Sequence, residues 1–149
     1  MFLLATVPLG EIGDRRAIVP LLRALKGSED NDILYALRRI DPDWTNSKEA
    51  KEAAEILINV VNGTVQGSPK DAAKGLSYLK DPRSVEPLIK LLKNSEYWTK
   101  VTVVNTLGAI GDPRAIEPLQ KCINNESSSS EIRKAVEAAL KSIEQKNKK

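Results

Sequence analysis

The chain has 149 residues, 41% apolar and 29% charged, the proportions of a globular domain with a buried core and not of a disordered segment. Its 23 basic residues exceed its 20 acidic ones by only +3, which permits weak attraction to acidic partners but lacks the basic excess of a dedicated nucleic-acid binder. Histidine is absent and cysteine occurs once, as Cys122, so the usual neutral-pH general base, every Ser-His or Cys-His pair and an internal disulfide are excluded.

The opening MFLLATVPLG is apolar, but it has no basic start and runs into Glu11, Asp14, Arg15 and Arg16. It is too short for a membrane span and unlike a secretory signal, so it reads as a helix over 2–12, with no membrane association and a cytoplasmic default. From Asp14 the string DRRAIVPLLRAL predicts a second helix, and further helical patterns cover 30–40 and 47–62. Ser68-Pro69 starts a helix over 69–79, DPRSVEPLIKLL follows from Asp81, and another helix spans 97–110. DPRAIEPLQKCI from Asp112 and a final helix over 129–145, entered through the serines at 127–130, complete the chain.

These strings repeat. The last two agree at seven of twelve positions, and the lead-ins LGEIG, LSYLK and LGAIG precede Asp14, Asp81 and Asp112. Leu9, Leu37, Leu76, Leu107 and Leu140 recur at spacings of 28, 39, 31 and 33 residues, with extra residues between Asp41 and Ser47 in a divergent second unit. Self-similarity at this period is the mark of stacked helix pairs. The reading is an all-α right-handed solenoid in one domain, 1–149: a leading half over 1–12, then units over 14–41, 46–80, 81–111 and 112–146, nine helices in all.

The turn chemistry fits. Asp81-Pro82 and Asp112-Pro113 place a capping acid before a residue that lacks an amide, and Gly13 and Gly111 suit the left-handed end of the preceding helix. Asn46 and Glu49 match a capping box for helix 47–62. Pro20, Pro87 and Pro118 fall within the first helix of their units and predict bends there.

DPRAIEPL and EIRKAVEAALKSI resemble the HEAT repeat in its phycobilin-lyase-like form, most specifically over 76–144, well over 9–27 and loosely over 41–75. The resemblance implies a right-handed stack with the second helices lining a concave face. It also implies ion pairs of Arg133 with Asp112 and of Lys100 with Asp81. Such repeats serve scaffolds, adaptors and a few enzymes, so fold alone does not assign function.

The sequence carries little that points to chemistry. Cys122 matches Leu91 one unit earlier and reads as a core residue. GEIG at 10–13 and GAIG at 108–111 sit at repeat turns, no phosphate loop occurs, and the carboxylates cap helices or alternate with lysines as in KEAKEAAE. No catalytic residue, metal ligand or cofactor is assigned, and the chain is read as not an enzyme. The glycosylation triplets at Asn62 and Asn125 are without consequence in a chain that lacks a secretory signal.

At 100° per residue, the face of each second helix opposite its buried leucine carries Tyr35, Arg39, Lys70, Lys74, Tyr78, Trp98 and Lys134, with Val101 and Asn105 between them and Arg38 and Lys141 at the edge. Aromatics with Arg or Lys favour a partner-binding strip. The competing reading packs Tyr78 and Trp98 between repeats, and Trp44 is assigned to packing. The chain therefore reads as a noncatalytic scaffold that binds a protein segment or acidic ligand on its concave face. Alternatives are a subunit of a bilin-lyase-like modifying complex and a nucleic-acid-binding HEAT-like protein, glycosylases included. FLLATV predicts self-association or a partner at the first half-repeat, and KSIEQKNKK predicts a solvated C-terminal cap with frayed last residues.

Overall fold

A computed structural model describes residues 15–24, 30–124 and 129–148. The described residues form eight α-helices: α1 (Ile18–Arg23), α2 (Asp30–Ile40), α3 (Lys48–Val61), α4 (Pro69–Leu79), α5 (Val85–Asn94), α6 (Tyr97–Ile110), α7 (Ile116–Asn124) and α8 (Ser130–Lys146). One-turn 3-10 segments at Arg15–Ala17, Pro82–Ser84 and Pro113–Ala115 lead into α1, α5 and α7, and a fourth at Trp44–Asn46 precedes α3. The expected helix over 2–12, its self-association, Gly13 and Asn125 lie outside the described residues.

Local chemistry explains the boundaries. Ser68 and Ser129 accept from the amides of Asp71 and Ile132 at 3.3 and 3.2 Å, and Asp81 and Asp112 accept from the amides of Arg83 and Arg114 at 2.9 Å. Each bond satisfies one of the amides that a helix start leaves unpaired. At α3 the cap is Ser47, which accepts from the Ala50 amide at 3.1 Å, and not Asn46. Ser47 has the extended backbone of a capping residue, whereas Asn46 belongs to the preceding 3-10 turn and its amide bonds Asp43 at 2.7 Å.

Pro20, Pro87 and Pro118 are each the third residue of an α-helix that follows a 3-10 turn. There the missing amide is one the first turn does not pair. The irregularity is thus a change of helix type at the entrance, and the bend expected within these helices is not required.

The core is a continuous aliphatic layer between first and second helices, with Leu22, Leu37, Leu76, Leu88, Leu107 and Leu119 fully buried. Each contributes about 1.5–3 kcal/mol by leaving water. Trp44, one of the extra residues and 5% exposed, joins the core of the divergent unit, and Ser47 Oγ donates to its carbonyl at 2.6 Å.

Second helices α4, α6 and α8 pack side by side, whereas first helices α3, α5 and α7 touch one another only lightly. From α3 to α8 the stack therefore curves toward the second helices, which lie on its inner side; before that the order is reversed, with first helix α1 packed on α3 and second helix α2 not along α4. Small residues permit the close approach: a Cβ on Gly108 of α6 would meet Cα and Cβ of Ala139 of α8 at 2.9 Å. A hydroxyl stitches the same seam, from Ser142 of α8 to the Gly108 carbonyl at 3.1 Å, and another joins α6 to α4, from Thr106 to the Ala73 carbonyl at 3.0 Å. At the other end of the seam Asn147 donates to the Gly111 carbonyl at 2.9 Å, and the Lys146 ammonium bonds the Ala109 carbonyl. The end expected to be a solvated cap is exposed over residues 144–148, while Lys146 and Asn147 tie it to α6, because the carbonyl end of that helix offers acceptors. Lys149 is outside the described residues.

Candidate functional site

The repeat turns carry the most regular polar geometry. Arg83 clasps Asp81 through Nε and Nη2, the latter at 2.7 Å, and Nη2 also reaches the Lys51 carbonyl at 3.2 Å. Arg114 repeats the arrangement on Asp112 at 2.8 Å and reaches the Pro82 carbonyl, one unit back, at 3.0 Å. The paired guanidinium holds each carboxyl below its ordinary range, since a hydrogen-bonded cation favours the charged form. These partners replace the expected pairs: Asp81 and Asp112 bond the arginine two positions on, and not Lys100 or Arg133. The third letter of DPR, repeated in both strings, was the signal for it.

This edge also bears a hollow of about 440 Å³ lined by Thr45, Asn46, Lys51, Asp81 and Arg83, among others. The carboxylate and guanidinium in it are already committed to each other, so it reads as part of the turn framework.

Cys122 is half-buried against the core, and burial pushes its thiol above the ordinary range more than the charge of Lys100 pulls it down. That environment disfavours the thiolate a nucleophile needs. Among the described residues no group of three or more His, Cys, Asp or Glu could hold a metal ion, and no helix is long and apolar enough to cross a membrane.

On the inner side, Trp98 stands 62% exposed near the start of α6. Its ring meets Tyr97 edge-on, centroids 4.9 Å apart, and the Tyr97 hydroxyl bonds Glu131 of α8, which raises the Tyr97 pKa. Between α4 and α6 runs a groove of about 220 Å³ lined by Lys74, Ser77, Thr102, Asn105, Thr106 and Ala109. The Lys74 ammonium sits over the Tyr78 ring, 5.6 Å from its centroid.

The strip read from sequence is thus brought together only in part. Lys70, Lys74, Tyr78 and Trp98 lie on adjacent helices α4 and α6, with Lys70 and Trp98 exposed. Tyr78 is half-buried against the core and backs Lys74. Tyr35 is 56% exposed and Arg39 is exposed, but their helix α2 packs on α1 and the Trp44–Asn46 turn and not along α4, because the extra residues 41–47 separate the two units.

Lys134 is exposed on α8 and matches Val101 by repeat spacing. Val101 is seven residues before Gly108 and so on the side of α6 that meets α8; the same side of α8 has no described helix against it. Sequence phase missed Ser77, Thr102 and Thr106, whose place in the groove depends on which neighbour each helix packs against.

This stack of helix pairs presents its polar chemistry as grooves and ridges and defines the class of all-α solenoids. The comparisons give the family: the sequence pattern of HEAT repeats matches residues 54–141, and that of the PBS lyase HEAT-like repeat matches residues 9–27. The chain belongs to the HEAT repeat family, whose repeats generally mediate protein interactions as scaffolds. No curated protein matches the chain.

Proposed function

We propose that this protein is a noncatalytic scaffold that holds a segment of a protein partner on the inner face formed by α4, α6 and α8, in an aqueous, reducing compartment. The observation that carries the reading is Trp98: an indole left 62% exposed on the inner side, beside a polar groove, in a chain with only two tryptophans. Exposed aromatics at the centre of a concave surface are the residues that dominate binding energy at interfaces. Lys70, Lys74 and Lys134 add positive charge that would steer an acidic segment.

The test is a comparison of partner affinity and thermal stability for Trp98→Ala. Affinity should fall by about 1–3 kcal/mol while the melting temperature stays where it was. A lower melting temperature with unchanged affinity would make Trp98 a packing residue and remove this reading.

A further inference from the structure

The groove between α4 and α6 sorts its polar groups into two sets. Its three hydroxyl protons are spent on backbone: Ser77 donates to the Lys74 carbonyl at 2.6 Å, Thr102 to the Trp98 carbonyl at 3.1 Å, and Thr106 shares its proton between Ala73 and Thr102 carbonyls at 3.0 and 2.8 Å. Lys74 and Asn105 are different. Among the described residues neither side chain has a hydrogen-bond or carboxylate partner, although the Tyr78 ring holds the Lys74 ammonium in place.

An exposed Asn amide offers one donor group and one acceptor, the complement of a single peptide unit. An ammonium on an aromatic ring lacks only an anion. Lys70 stands one turn before Lys74, while the one acid of this helix, Asp71, is half-buried in the first turn, where the helix dipole favours it. The groove is therefore charged to receive a carboxylate.

Trp98 and Asn105 are seven residues apart on one side of α6, a rise of about 10.5 Å. An extended chain covers that distance in about three residues.

Resting on the inner-face reading above, we propose that the α4/α6 groove binds an extended acidic peptide segment. Its backbone pairs with Asn105, an Asp or Glu side chain meets Lys74, and an aromatic or aliphatic side chain about three residues away lies against Trp98.

The test is selection of binders to the full chain from a displayed random-peptide library, followed by affinity measurements of the selected peptides on Lys74→Gln, Asn105→Ala and Trp98→Ala variants whose folding is checked by circular dichroism. The proposal expects enrichment of peptides with Asp or Glu three or four residues from Trp, Phe or Leu. Lys74→Gln should weaken them about three- to tenfold. Replacing the peptide's acid with its amide should cost the same on the native chain and nothing further on Lys74→Gln. Binders without acidic preference that still require Trp98 overturn this proposal and leave the inner-face reading standing. No enrichment, or binders indifferent to all three substitutions, overturns both.

Discussion

Gly108→Ala tests the close packing of the inner face, because two effects of opposite sign compete at one methyl group. In an ordinary helix interior the change stabilises by about 1 kcal/mol, since alanine is the better helix former. Here the added Cβ would lie 2.9 Å from Cα and Cβ of Ala139, whereas carbon atoms rest at about 3.5–4.0 Å. A backbone atom cannot swing aside as a side chain can, so α6 and α8 must separate by a large fraction of an ångström.

That movement also stretches the bond from Ser142 to the Gly108 carbonyl, now 3.1 Å. Overpacking costs about 1–3 kcal/mol and a weakened hydrogen bond about 0.5–1.5 kcal/mol. After the helix-forming gain is subtracted, the net loss is about 0.5–3.5 kcal/mol, or a fall in melting temperature of several degrees at the middle of that range for a chain of this size. Circular dichroism melts of the two proteins at equal concentration decide it. An unchanged or higher melting temperature for Gly108→Ala would refute the account of how α6 and α8 meet.

Other substitutions give signs that are as definite. Lys80 closes α4 in the left-handed conformation, φ 54°, where the corresponding turn of α6 uses Gly111 at φ 77°, so Lys80→Gly should raise stability by about 0.5–1 kcal/mol in a denaturant titration. Trp44→Ala should cost about 3–5 kcal/mol, because Trp44 is 5% exposed, while Trp98→Ala changes unfolding by less than about 0.5 kcal/mol. Asp81 and Asp112 are held below the ordinary carboxyl range by Arg83 and Arg114. Their contribution is present in full above the unfolded value of about 3.9 and is lost as pH falls through the lower folded values. Melting temperature measured downward from pH 5 should therefore fall, and less steeply in Asp112→Asn.

Much of the fold was legible because each unit repeats both its apolar period and its turn chemistry. The helices over 30–40, 69–79 and 97–110 are found with those bounds, since a serine, an aspartate or a turn marks their ends. The Asn46 cap was misplaced by one residue because Asn and Ser are nearly equivalent caps, and only the backbone of Ser47 separates them. Lys80 conceals a left-handed turn, because a non-glycine residue gives no sign of positive φ. The strip proposed for binding was legible less well. Helical phase says which side of a helix is opposite its core, but not whether a neighbour covers that side. Tyr35 and Arg39 ride on a helix that the extra residues 41–47 set apart, and Thr102 and Thr106 enter the groove only because α4 lies beside α6.

The central claim, that the inner face of α4 and α6 is the recognition surface, can be read from two indoles and one amide in a nitrogen–proton correlation spectrum. As a selected acidic peptide is titrated in, the Trp98 indole and the Asn105 side-chain amide should shift together and saturate, while the buried Trp44 indole stays in place. Saturating shifts at the turn edge, around Arg83 and Arg114, with Trp98 and Asn105 unmoved, would contradict the account.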